Sequence, residues 1–174
     1  MKKHILVAVL ALLLLLPCFA ACKKEPEEPV YPAHEFYTAD GLVQSKQVHF
    51  FVTDERITPA TTELHVTLQN TGSELVRGPG ETNIEIEQYG AEGWQAAPPR
   101  EGGWSVLDIS SLTYLKPGMQ DEMVMQVYSV NKKSSYYSFQ YAPLTPGAYR
   151  LVLRDYRIGE QTASAVAYFT VTAE

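Results

Sequence analysis

Cysteine is almost missing from this chain: only Cys18 and Cys22 occur, both close to the N-terminus. Cleavage between them would leave a single thiol, which excludes an internal disulfide and a cysteine-based metal site. Long apolar runs are also scarce. The one long unbroken apolar run, residues 5–16, follows Lys2 and Lys3. A bilayer-crossing helix needs ~20 residues, so twelve suit the apolar region of an export signal instead. Basic charge is in short supply as well, with 14 Lys and Arg against 20 Asp and Glu. Beyond residue 21 the balance is 12 against 20, a net charge of −8. That balance argues against a nucleic-acid partner and against a polybasic membrane-binding face.

Catalytic signatures are equally lacking. No serine sits in a Gly-x-Ser-x-Gly elbow, and His34-Glu35 is followed by Phe-Tyr-Thr instead of completing a zinc-protease motif. Gly78-Pro-Gly80 and Gly102-Gly103 have no strand-to-helix setting in which to cradle phosphate. His49 and His65 fall on expected strands, where a cross-strand metal pair is conceivable and plain surface positions are the simpler reading. Glu85 and Glu87 share a strand face and read most simply as its solvated side. No enzyme activity, cofactor or metal is expected.

At the end of the apolar run stands Pro17-Cys-Phe-Ala-Ala-Cys22, followed by Lys23-Lys24. Phe19, Ala20, Ala21 and Cys22 resemble the lipobox of bacterial lipoprotein signals, with phenylalanine in place of the usual leucine. The resemblance implies removal of residues 1–21 and acylation of Cys22, which would hold the chain to membrane lipid on the outer face of a bacterial membrane. Each buried methylene adds ~0.8 kcal/mol, so several acyl chains anchor firmly. An ordinary secretory cut near Ala21 is the alternative. Residues 22–41, with Pro26, Pro29, Pro32 and four glutamates, read as a solvated tether. At ~3.3 Å per residue its reach is at most ~65 Å.

From residue 42 to 174 short strands alternate with turn residues. Leu64, Val66 and Leu68 point one way and Glu63, His65, Thr67 and Gln69 the other, before the turn residues Asn70-Thr-Gly-Ser73. Ile84 and Ile86 alternate with acids, and Met123, Met125 and Val127 repeat the pattern. Near the end, Leu144-Thr-Pro-Gly-Ala-Tyr-Arg-Leu-Val-Leu153 combines a turn with a strand whose Tyr149 suits a tyrosine corner. Seven to eight antiparallel strands in an Ig-like sandwich are expected. Trp94 and Trp104 compete for the place of a sandwich's core tryptophan.

Three stretches together resemble the bacterial Ig-like domain of many small lipoproteins. They are Leu64-His-Val-Thr-Leu-Gln-Asn-Thr71, Tyr114-Leu-Lys-Pro-Gly118 and the Leu-x-Pro-Gly-x-Tyr-Arg segment from Leu144. These motifs mark turns and core positions, so the resemblance implies a fold and no specific activity. The segment Lys132-Lys-Ser-Ser-Tyr-Tyr-Ser-Phe-Gln-Tyr141 has the Tyr- and Ser-rich composition of contact loops. Tyr136, Tyr137, Phe139 and Tyr141 are therefore candidates for binding an envelope protein or glycan, with packing over the sandwich end as the alternative. The expected function is a non-catalytic binding or accessory module of the cell envelope. A small exported enzyme or inhibitor, and a passive spacer, are the other readings.

Overall fold

The computed structural model describes residues 29–79, 84–99, 112–128 and 141–173. Tyr31–Glu174 forms one compact unit. The residues described in it are all strand and turn, as the alternation predicts, and they make an antiparallel sandwich.

Among the described residues eleven strands occur in chain order. They are β1 (Phe36–Ala39), β2 (Leu42–Ser45), β3 (Val48–Val52), β4 (Glu63–Asn70), β5 (Val76–Pro79) and β6 (Ile84–Gly90). Then come β7 (Gly93–Ala96), β8 (Leu112–Leu115), β9 (Gln120–Gln126), β10 (Gly147–Ile158) and β11 (Gln161–Val171). The smaller sheet runs β3-β4-β9, and the larger runs β7-β6-β10-β5-β8 with β11 on the other edge of β10. The count exceeds seven to eight because short strands at β1, β2, β5 and β8 join the longer ones that alternation makes visible.

β10 organises the larger sheet. Residues 149–153 pair with β6, whereas Arg157 and Ile158 pair with β5. Between them the β11 register slips after Leu153, and Asp155 takes a positive φ of 60°. Asp tolerates that left-handed conformation, and the extra residue bends the strand so that one edge serves two partners. The sheets are tied where Ile57 bridges Val171 in parallel and Thr172 N–H donates to the Ile57 carbonyl at 2.9 Å.

Leu64, Val66 and Leu68 are buried as their alternation requires, opposite Ile84, Ile86, Leu151 and Leu153 of the larger sheet. β11 contributes the small Ala163, Ala165 and Ala167 before Phe169 and Val171. Alternating large and small side chains let the two layers interdigitate. Thr67, expected outward, is also buried, flanked by its cross-strand partners Phe51 and Glu122.

Tyr149 makes the expected corner. Its ring is buried and stacks on Phe169, and its hydroxyl donates to the Thr145 carbonyl at 2.9 Å and accepts the Thr145 N–H at 3.1 Å. Tyr149→Phe keeps the ring and orphans both backbone groups, so a loss of about 1 kcal/mol or more is expected in urea unfolding.

Asn70 is the second knot. It is fully buried, and its amide nitrogen donates to the carbonyls of Glu74 (2.7 Å) and Leu115 (2.9 Å) while its oxygen accepts from Gly72 N–H (3.0 Å). Its backbone exchanges hydrogen bonds with Gly118 and Met119. One side chain therefore joins the end of β4, the following turn and the Leu-x-Pro-Gly turn before β9. This is why the two motifs occur together.

The folded unit reaches further towards the N-terminus than a boundary at residue 41 allows. β1 lies inside the segment read as tether. It pairs with β2 in register from Phe36↔Ser45 to Ala39↔Leu42. Asp40 and Gly41, with φ of 50° and 76°, form the two-residue Asp-Gly turn that matches hairpin twist. Just before β1, Glu35 N–H donates to Gln47 Oε1 at 2.6 Å, and His34 Nδ1 lies 2.8 Å from Ser45 Oγ. Proline and glutamate composition hides such pairing, because the partners come from the strand that follows.

The two histidines His34 and His65 report opposite environments. Burial lowers the His34 pKa, outweighing the nearby Glu74 carboxylate. At His65 the hydrogen bond and charge of Asp54, 2.8 Å away, raise it. The His34 contribution is therefore present above its unfolded pKa and lost as pH falls through the folded one. That of His65 is present at low pH and lost as pH rises through its folded value. Imidazole NMR titration is expected to place the His34 midpoint below the ordinary value and that of His65 above it.

Candidate functional site: a charged and aromatic face on the larger sheet

Alternation puts Arg150, Val152 and Arg154 of β10 on the face turned away from the core. Glu85 and Glu87 of β6 and Tyr168 of β11 share that face through the registers Arg150↔Glu87, Val152↔Glu85 and Arg150↔Tyr168. The sequence reading assigns these acids to solvent. Glu87 is instead 7% exposed and Arg150 4%. The physical reason is that each acid faces a guanidinium across the strand pair, and that a second layer covers them.

The geometry is close. Arg150 Nε and Nη2 lie 2.7 and 2.6 Å from Glu87 Oε2. Arg154 Nη2 reaches Glu87 Oε1 at 2.7 Å, and its Nε donates to Glu85 Oε2 at 2.6 Å. Glu85 hydrogen bonding and charge hold the Arg154 pKa above its ordinary value. The β1–β2 turn delivers Asp40 onto the same face, where Oδ2 accepts from Arg150 Nη1 at 3.3 Å and from the Tyr168 hydroxyl at 3.0 Å. Burial first, then Asp40, pushes the Tyr168 phenol up. Glu87 thus receives both arginines, and a buried charge of this kind is tolerated because it is paired and hydrogen-bonded.

Above this network lie aromatic rings. The Trp94 ring covers the Arg150 guanidinium, whose carbon is 4.6 Å from the ring centroid. Tyr168 flanks Trp94 at 5.7 Å between centroids, and Tyr89, its partner across the β6–β7 hairpin, at 5.0 Å edge-on. Both separations fall in the favourable range for aromatic pairs. Tyr89 and Tyr168 nonetheless stay 58% and 57% exposed. Together with Ala148 and Thr170 these rings wall a shallow pocket of about 350 Å³. Trp94 is accordingly no core tryptophan. It sits next to a tight hairpin turn, where a ring has room to fold over the neighbouring strands, and no period-2 signal marks that position. Trp104 lies outside the described residues.

The expected contact loop fares differently. Tyr136, Tyr137 and Phe139 lie outside the described residues. Tyr141 is buried: its hydroxyl accepts the Ile86 N–H at 3.0 Å, and its N–H donates to the Val127 carbonyl at 2.9 Å. As a binding residue Tyr141 is corrected to a core residue, because the sandwich offers its ring an apolar pocket and its hydroxyl a backbone donor. His49 faces Gln69 and His65 faces Val124, so the two are not cross-strand partners. Cys22 also lies outside the described residues.

The sequence matches no family model and no curated protein at a significant level. Among solved structures, the chain is similar to that of an ApaA protein from Bordetella pertussis, with 16% identity, 83% of this chain and 98% of that one covered, and a TM-score of 0.36. That likeness is too slight to carry an argument about this chain.

Proposed function

We propose that the protein is a lipid-anchored extracytoplasmic module of the cell envelope. In this reading Cys22 is acylated and the β-sandwich presents a binding face to a partner outside the membrane. The lipobox-like Phe19-Ala-Ala-Cys22 behind a twelve-residue apolar run supports the anchor. The observation that carries the binding role is the aromatic cluster of exposed Tyr89 and Tyr168 around half-buried Trp94 on a hydrogen-bonded sheet face. Exposed aromatics clustered on a rigid element are the residues that dominate interface energetics. Two arginines and three acids on that face are spent on one another, which favours recognition over proton-transfer chemistry.

The anchor is tested by expressing the chain in a bacterium fed radiolabelled palmitate. The expected result is label in the membrane fraction, and an unlabelled, membrane-free product from Cys22→Ser. A wild-type chain that is exported without label removes the anchor from this reading.

A further inference from the structure

The binding face carries a more specific reading, which rests on the proposal that this protein is a binding module. We propose that the pocket walled by Tyr89, Trp94 and Tyr168 takes the apolar face of an uncharged saccharide ring.

Three features lead there. The first is charge. Arg150 and Arg154 are both engaged by Glu85, Glu87 and Asp40, so among the described residues the pocket has no spare guanidinium to seat a phosphate or carboxylate. Nor does it attract a cationic ligand to Trp94 in the usual way, because one face of that ring already lies over Arg150.

The second is shape. The pocket is shallow, about 350 Å³, and the exposed Ala148 and Thr170 that line it beside the rings are small. A flat ring with one carbon–hydrogen face fits such a depression, lying against an indole or phenol while its hydroxyls remain in water. Thr170, Tyr89 and Tyr168 add hydroxyls to the lining, and sugar hydroxyls need such donors and acceptors.

The third is rigidity. Arg150 holds Trp94 from beneath, and Asp40 accepts from Tyr168, so two of the three rings are fixed before any ligand arrives. Weak stacking contacts amount to useful affinity only when little entropy is lost on binding, and that condition is met here.

The test is calorimetric titration of the full chain, solubilised in a detergent without sugar headgroups, with cellotetraose and with chitotetraose. Saturable heat with either oligosaccharide at millimolar concentration is expected. Trp94→Ala and Tyr168→Ala should each weaken it about tenfold or more. Tyr168→Phe, which keeps the ring but loses the hydrogen bond to Asp40, should bind more weakly than the wild type and more tightly than Tyr168→Ala. Because these rings are largely outside the core, an unchanged melting temperature certifies the fold of each variant. Absence of heat with both sugars overturns the proposal, as does undiminished binding by Trp94→Ala. Heat with a proline-rich peptide and none with either sugar also overturns it and assigns the face to a protein segment. These outcomes are independent of the palmitate experiment: an anchored chain that ignores sugars loses only this inference, and a sugar-binding chain without label loses only the anchor.

Discussion

Glu87→Gln is expected to destabilise the sandwich by about 3 kcal/mol, read as a lowered urea midpoint with an unchanged slope. Glu87 receives Arg150 and Arg154 together, and its neutralisation leaves the Arg150 guanidinium, 4% exposed, with Asp40 at 3.3 Å as its remaining carboxylate partner among the described residues. Breaking a buried pair from one side costs about 3–5 kcal/mol, because the remaining charge stays desolvated. Asp40 places this case at the lower end of that range. The double exchange Glu87→Leu with Arg150→Met should recover most of the loss, since apolar side chains of similar volume often replace a buried pair at little cost. The contrast matters more than either value. If the double variant is as unstable as the single one, the pair supplies more than mutual neutralisation.

Asn70→Ala is the second large effect, about 2–4 kcal/mol in the same assay. It removes one amide and leaves the Glu74 and Leu115 carbonyls and the Gly72 N–H without the partners they have at 2.7, 2.9 and 3.0 Å. Each buried group left unsatisfied costs roughly 1–3 kcal/mol, and water entering the turn offsets part of that sum. Asn70→Asp should be no milder. It keeps the acceptor for Gly72 but brings a carboxylate against two carbonyl oxygens at a site with no exposure.

These two residues show what the sequence made legible. Asn70 ends a strand of strict alternation and precedes a Thr-Gly turn, so its place in the chain announces a structural role. Of its side chain's partners Gly72 and Glu74 are local and Leu115 is distant, as are the backbone partners Gly118 and Met119. Tyr149 likewise bonds to Thr145, four residues away, and its turn and strand are contiguous in the chain. Local pattern therefore carried both knots. Glu87 and Arg150 stand 63 positions apart, and Asp40 is 110 from Arg150. Alternation gives each of them one face of a strand and takes that face to be wet.

A correlated hint was nevertheless present. Two acids at every second position of β6 and two arginines flanking Val152 of β10 are complementary once the strands are neighbours, although sequence alone does not say that they are. The hairpin was hidden for a similar reason. Asp40-Gly41 is a turn signal, but it stands at the end of the proline- and glutamate-bearing segment that reads as tether. Composition does not place Tyr141, since a Tyr- and Ser-rich run describes a contact loop and a loop folded into the core equally well. The aromatic face is not legible in the sequence because its three members come from three strands, and only the sheet brings them together.

The central claim is that the ion network holds the aromatic face ready for a ligand. Trp94 and Trp104 are the two tryptophans of the chain, so Trp104→Phe leaves Trp94 as sole reporter. The most direct measurement is the time-resolved fluorescence anisotropy of Trp94 in that background. Exposed side chains reorient on the ps–ns scale, whereas a clamped ring turns only with the whole molecule. A single slow decay is expected, with a fast component emerging when Glu87→Gln is added. A dominant fast component without that substitution would contradict the claim.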